Sequence, residues 1–357
     1  KDVKKLNKEV DDTGKKGKAA GKGLKGAFAG FSSAVAGAIP MLGRLKVAMI
    51  STGVGALVVA FGSLVALIKS AATVGADFQQ ALSGLEAISG ATADEMGVMS
   101  TQARELGAST AYTAIQVVEL QTELAKLGFS TKGITDSTPA ILDLASALDV
   151  DLANAAMLAG STVRAFGLET EDTQRVVDVL SLSASSVALD FESLKESFKN
   201  VAPAARAVGV SVEQTAALLG VLANAGVKGS RGGTKLSTAF IELNAKGLTL
   251  DQALEKISTS SNKLGTAMAL AGKTGGTALV TLANETPQIA ELTKQFENAE
   301  GAARAMAEIK LDNLAGDMTK LGSAWEGFLL GIEDGEGPIN KLQRYLVQGL
   351  TEGVTFL

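Results

Sequence analysis

Three stretches of this sequence carry residue types at spacings that could do chemistry. Ala267-Met-Ala-Leu-Ala-Gly272-Lys273-Thr274 meets the permissive form of a phosphate-binding loop, in which the amides of a Gly-rich turn and a following Lys hold an anion. Such a cradle needs a strand in front and glycines within, whereas the interior here is Met, Ala and Leu, all helix formers. Residues 226–235 (GVKGSRGGTK) make a better anion nest, with Lys228, Arg231 and Lys235 close by; the plainer reading is a tight turn between helices. Glu192-Ser193 and Glu196-Ser197 each offer the Glu-Ser pair that opens a lytic transglycosylase site, where a buried Glu with raised pKa is the acid. No Gly-Leu-Met-Gln follows. The two Glu residues lie four apart with Lys195 and Lys199, the pattern of a solvated helix face. Cys and His are absent, which removes thiol nucleophiles, disulfides, imidazole bases and nearly all zinc sites. No cofactor or metal site is expected.

The elements that would position such residues are helical. Aromatics are scarce, Ala and Gly are abundant and Pro numbers only five, which favours long, closely packed helices. The longest charge-free run is residues 47–68 (VAMISTGVGALVVAFGSLVALI), 22 residues bracketed by Lys46 and Lys69. As a helix it is roughly 33 Å long, enough to cross a bilayer. Val47, Ile50, Val54, Leu57, Val58, Phe61, Leu64, Val65 and Ile68 would then face lipid. Its small residues (Gly53, Gly55, Ala56, Gly62, Ser63) equally allow close packing inside an assembly. Ahead of it, residues 1–25 carry nine Lys against four acids, net +5, which leaves −10 for residues 26–357 of the total of −5. Val3, Leu6 and Val10 resemble the last turns of a coiled coil, and residues 14–26 a Lys/Gly linker or a lipid-facing basic segment. The basic end has no Arg and no aromatic residue, so specific base readout is not expected. Residues 26–43, uncharged and rich in Gly and Ala, read as a weakly apolar lead-in or as the first arm of a helical hairpin. With the span beginning some forty residues in, no signal peptide opens the sequence. A first residue of Lys and an end at Phe356-Leu357 are expected of a piece of a longer chain.

From residue 77 the pattern becomes amphipathic. Thr92-x-x-Glu95, Thr113-x-x-Gln116, Ser211-x-x-Gln214 and Thr249-x-x-Gln252 predict capping boxes, and Thr138-Pro139 and Thr286-Pro287 predict helix starts. Val117, Leu120, Leu124 and Leu127 make one apolar stripe; Ile141, Leu144, Ala145 and Leu148 make another. A third comprises Leu152, Ala156, Ala159, Val163 and Phe166. Gly128, Gly167 and Gly226 predict stops. Residues 106–128 and 208–226 echo one another as turn, helix and Gly stop.

Leu311, Leu314, Met318, Leu321, Trp325, Phe328 and Ile332 follow 3,4 spacing over three heptads. This is a narrow seam. It either packs on the core of its own chain or joins copies around an axis. Residues 335–338 (GEGP) break the pattern before Ile339, Leu342, Leu346 and Leu350 begin another helix.

The segments ARELGASTAYTAIQVVELQTELAKLGFS, AFGLETEDTQRVVDVLSLSASS and LKESFKNVAPAARAVGVSVEQTAALLGVLANAGVKGSRGGTKLSTAFIEL resemble the core region of phage tail tape measure proteins of the TP901 type. The resemblance runs from about residue 77 to 245. Its most specific part is residues 194–243, with Lys235-Leu236-Ser237 departing where the family often has Leu-Arg. It implies an all-α, non-enzymatic structural protein that sets tail length inside the tail tube. It also implies insertion in the host inner membrane on ejection, to help form a DNA channel. The implied partners are other copies in threefold or sixfold symmetry, the tail tube protein, baseplate or tail-tip hub proteins, tail assembly chaperones and the host inner membrane. Genomic DNA would pass without sequence-specific binding. The expected layout is a basic coiled-coil end and linker (1–25), an apolar segment (26–70), a helical core (77–247) and a helical region with the seam (248–357). A pore-forming toxin or bacteriocin, or a membrane-anchored scaffold, is the competing class. Co-purification with tail-tube proteins separates the toxin from the ruler.

Overall fold

The computed structural model describes residues 54–333, and for residues 54–69, 72, 332 and 333 it gives the helical backbone alone. Every regular element among the described residues is a helix, as the composition implies. The chain divides into two compact units, residues 77–327 and residues 1–76 with 328–357. Of the second unit, the described residues belong to the start of α1 (Val54–Ser89) and the end of α14 (Leu314–Glu333).

The long apolar transmembrane helix expected at 47–68 is not found among the described residues, which begin at Val54. Among the described residues no helix is long and apolar enough to cross a membrane. From Val54 onward the charge-free run lies in a 36-residue helix that goes on through Lys69, Asp77 and Glu86. Val47 and Ile50 lie outside the described residues, while Val54, Leu57, Val58, Phe61, Leu64, Val65 and Ile68 lie on the helical backbone of α1. The basic end, the lead-in and the helix expected after residue 338 also lie outside the described residues.

In residues 77–327 two rows of helices form. α3 (Ala114–Lys126), α5 (Leu152–Phe166), α7 (Phe191–Ala207), α9 (Gly229–Ala245) and α11 (Lys263–Asn284) pack each against the next. α4 (Thr131–Leu148), α6 (Thr173–Ser186) and α8 (Val212–Asn224) make the second row, so successive helices alternate between rows. α2 (Ala93–Ser109) packs on α3 and α4, and α10 (Leu250–Ser258) on α11. The chain then runs back along the second row, with α12 (Thr286–Glu297) against α8 and α6, and α13 (Ala302–Leu311) against α6 and α4.

Local sequence fixes most helix ends. Thr92, Thr113 and Thr249 make full capping boxes with Glu95, Gln116 and Gln252, each cap worth roughly 1 kcal/mol. Ser211 accepts from the Gln214 amide at 3.1 Å. Gly128, Gly167 and Gly226 take positive φ of 79°, 66° and 80°, where a side chain is strained. The echo between segments survives at one end only. α3 and α8 are both 13 residues long and close with the same bond pattern into Gly128 and Gly226, but α3 is capped by Thr113, beyond Ser109, whereas Ser211 itself caps α8.

Two expectations fail for reasons of tertiary contact. Thr138-Pro139 does not begin a helix, because α4 starts at the cap Ser130 and carries Pro139 in its interior. Pro139 has no N–H for the Thr135 carbonyl, and Gln102 Nε2 donates to that oxygen instead, at 2.8 Å. The wholly buried Gln121 holds Gln102 in place through Nε2 to Oε1 at 3.2 Å. Residues 229–234 are likewise not a loop but the first turns of α9, with Gly232 and Gly233 buried. A Cβ at Gly233 would sit 2.9 Å from Ser197 Cα and 3.0 Å from its carbonyl carbon, so this glycine lets α7 and α9 meet at backbone distance. Gly275 does the same for α11, where a Cβ would lie 2.8 Å from the Ala239 nitrogen.

Where α13 crosses α4, burial pushes the Asp143 carboxyl up to about 6; Arg304 opposes the shift, and Asp178 and Glu308 add to it. The folded state therefore holds this proton more tightly than the unfolded chain, whose carboxyl titrates near 3.8. The contribution to stability is fully present below about pH 4, falls as pH rises to about 6, and is absent above. Asp143 is half-buried and still meets solvent, so screening reduces the effect to the order of 1 kcal/mol. Urea midpoints of wild type and Asp143→Asn measured from pH 4 to 7 should differ in slope in that window, with the variant flatter.

Candidate self-association surface

The seam is carried by α14. Asn313 starts it: Oδ1 accepts from the Gly316 amide at 3.0 Å and its carbonyl accepts from Asp317 at 2.9 Å, while Nδ2 donates back to the Lys310 carbonyl at 2.6 Å. This cap breaks the seven-residue series, so Leu311 belongs to the end of α13 and is half-buried. From Leu314 onward the series lies on one helix. Leu314 is 78% exposed, Met318 59%, Leu321 55% and Trp325 46%. Phe328 is also exposed, and of Ile332 the structure describes only its place in the helix.

What makes this face unusual is the side of the helix that faces inward. Ser323 and Gly316 are buried, a Cβ at Gly327 would lie 3.4 Å from the Ala108 Cβ, and Glu326 Oε1 lies 3.5 Å from the Ile115 amide in the first turn of α3. Up to residue 327 the helix therefore meets its own domain with small and polar residues and leaves Leu314, Met318 and Leu321 outside, while its last turns bury Leu329 and Leu330. An amphipathic helix that packs only on its own core does the reverse. Ala315, Gly322 and Ala324 flank the seam, and among these flanking positions up to residue 327 only Asp317 is charged. Small flanks permit close approach of another helix.

Residues 100–327 match the family described as phage-related minor tail protein, well over half of the chain. The chain belongs to this family. Among its relatives, the tape measure protein of Pneumococcus phage Dp-1 is 32% identical over 288 residues, 73% of this chain and 25% of that protein. The probable tape measure protein of Escherichia phage P2 is 31% identical over 303 residues, 75% of this chain and 37% of that protein. The chain thus spans about a quarter of the first relative's length and little over a third of the second's. No solved structure matches it.

In this minor tail protein the three motifs weighed for chemistry serve the fold. Within 267–274, α11 breaks at Ala271 and Gly272, the latter at φ 65°, ψ −173°, a conformation open to glycine alone. Lys246 Nζ donates to the carbonyls of Ala269 at 2.8 Å and Leu270 at 2.5 Å, closing the first half of α11. A Cβ at Gly276 would lie 2.8 Å from the Ala267 backbone, so the two halves turn sharply on one another. This is a corner, not a phosphate cradle. The cations of residues 226–235 do not converge either: Lys228 pairs with Asp190 at 3.0 Å and Lys235 donates to Thr277 Oγ1 at 2.7 Å. The Ser193 amide and Lys228 hold the Asp190 carboxyl down to about 2. Glu192 pairs with Lys195 at 2.8 Å and Glu196 with Lys199 at 3.7 Å, along one helix. A cavity of about 200 Å³ near Phe166 and Ser211 has Arg175 on its wall, already paired with Glu213 and Asp172.

Sequence spacing singled out these apolar positions but could not tell which side of α14 faces inward. That depends on Ala108 and Ile115, some two hundred residues earlier.

Proposed function

We propose that this chain is the helical core of a tape measure protein of the TP901 type, acting in the virion tail as a ruler within the tail tube and not as an enzyme. The observation that carries the reading is identity of about a third, across nearly three quarters of the chain, to proteins named tape measure protein and probable tape measure protein. The physics is compatible. A helix rises about 1.5 Å per residue, so residue count converts linearly into length. An all-helical domain without Cys or His has no thiol or imidazole chemistry, which suits a scaffold.

Several copies lie side by side in this reading, with threefold or sixfold symmetry, and the outward seam of α14 is where they join. The tail tube protein surrounds them, hub or baseplate proteins hold one end, and tail assembly chaperones keep the apolar segment covered until the tube closes. On ejection the copies leave ahead of the genome and the run at 47–68 enters the host inner membrane, helping to form a path for DNA. That step rests on the charge-free sequence alone. An in-frame length series in the parent gene, read as tail length, tests the ruler.

A further inference from the structure

We propose that residues 299–327 form a strap that closes back over the second row of helices and opens as a unit, with Asp178 as its latch. The inference goes beyond the ruler reading and does not depend on it.

The strap is the last part of the return course. The helices beneath it bury full apolar stripes: α4 buries Ile134, Ile141, Leu142 and Leu144, and α6 buries Val176, Val177, Val179 and Leu180. α13 buries only Ala303 and Ala307. Two methyl groups give little of the burial that stabilises the row below, where each large side chain is worth roughly 1.5–3 kcal/mol. α14 buries Gly316 and Ser323 and keeps its large apolar residues outside as far as residue 327, beyond which Leu329 and Leu330 are buried and anchor its far end.

A buried carboxylate compensates. Asp178, in the middle of α6 and only 2% exposed, accepts from the Gly301 amide at 3.0 Å and the Ala303 amide at 2.9 Å. Both are donors at the N-terminus of α13, which has no side-chain cap of its own. The carboxylate thus caps a helix 125 residues away and fixes the turn in which Gly301 takes φ of 77°. Gln174 Nε2 donates to the same carboxylate at 3.3 Å. Around the crossing lie Asp143 from α4 and Arg304 and Glu308 from α13, the last two paired at 3.1 Å. Ionised Asp143 places a second negative charge under the strap. Once Asp178 lets go, little but Ala303, Ala307 and the half-buried Met306 and Leu311 holds α13 down, and the first turns of α14, joined through residues 312–313, follow it and hinge ahead of the buried Leu329 and Leu330.

Hydrogen exchange of the full chain, read by mass spectrometry, tests this. In wild type, amides of 301–327 should exchange faster than those of α4, α6, α7 and α9. Asp178→Asn, which keeps the shape and loses an acceptor, should speed exchange in 301–327 by about tenfold or more and leave α7 and α9 unchanged. Uniform acceleration everywhere, or none in the strap, overturns the proposal. If Asp178→Asn does not fold, limited trypsin digestion of wild type decides. First cuts after Arg304 and Lys310 support the strap, and first cuts within residues 114–284 refute it.

Discussion

Gly233→Val should unfold this domain more effectively than almost any surface change, lowering its stability by ~3 kcal/mol or more. The branched side chain would start from a Cβ already 2.9 Å from Ser197 Cα and 3.0 Å from its carbonyl carbon. Those are backbone atoms of α7, which cannot rotate aside, so α7 and α9 must separate. Overpacking of this kind typically costs 1–3 kcal/mol in a core that can adjust, and about 3 or more where it cannot. The disturbance passes on, since α9 also meets α11 at Gly275. Gly97→Ala is the matched control: Gly97 lies inside α2 with nothing within 4 Å of a new Cβ, and should gain about 0.5–1 kcal/mol from helix propensity. Urea unfolding of the two variants should move in opposite directions. Equal shifts would mean that α7 and α9 do not meet at this glycine.

The second large effect is on assembly. Leu314→Glu combined with Leu321→Glu should weaken self-association by about 100-fold or more, equivalent to ~3 kcal/mol, while the unfolding transition stays within about 0.5 kcal/mol of wild type. Both side chains are mostly exposed, so the monomer loses little when they become charged. Closing the seam, by contrast, would strip water from carboxylates that have no cation opposite them. Sedimentation velocity across a concentration series reads the result. An unchanged association curve, or a wild type that stays monomeric at high concentration, removes the seam from the account.

These two predictions rest on features of opposite legibility. The seam stands out as 3,4 spacing, and the caps at Thr92, Thr113 and Thr249 and the stops at Gly128 and Gly167 are equally plain, because each is decided within a few residues. Gly232 and Gly233 misled for the complementary reason. Glycines beside Ser and Arg have the composition of a loop, and only the arrival of Ser197 from another helix gives them a helical purpose. Pro139 follows the same logic, since its gap in the helix is closed by Gln102 from α2. Asp178 offered no signal at all: a lone acid in an amphipathic helix looks solvated until the Gly301 and Ala303 amides are seen against it. Local chemistry wrote the helix ends into the sequence; the contacts that join distant helices were not there to be found.

The parent gene offers the most direct test of the ruler. In-frame deletions and duplications of whole heptads outside residues 77–327, introduced into the phage, should shorten or lengthen the tail linearly, by about 1.5 Å for each residue removed or added. Tails measured in micrographs that keep one length across the series would contradict a measuring role for this chain.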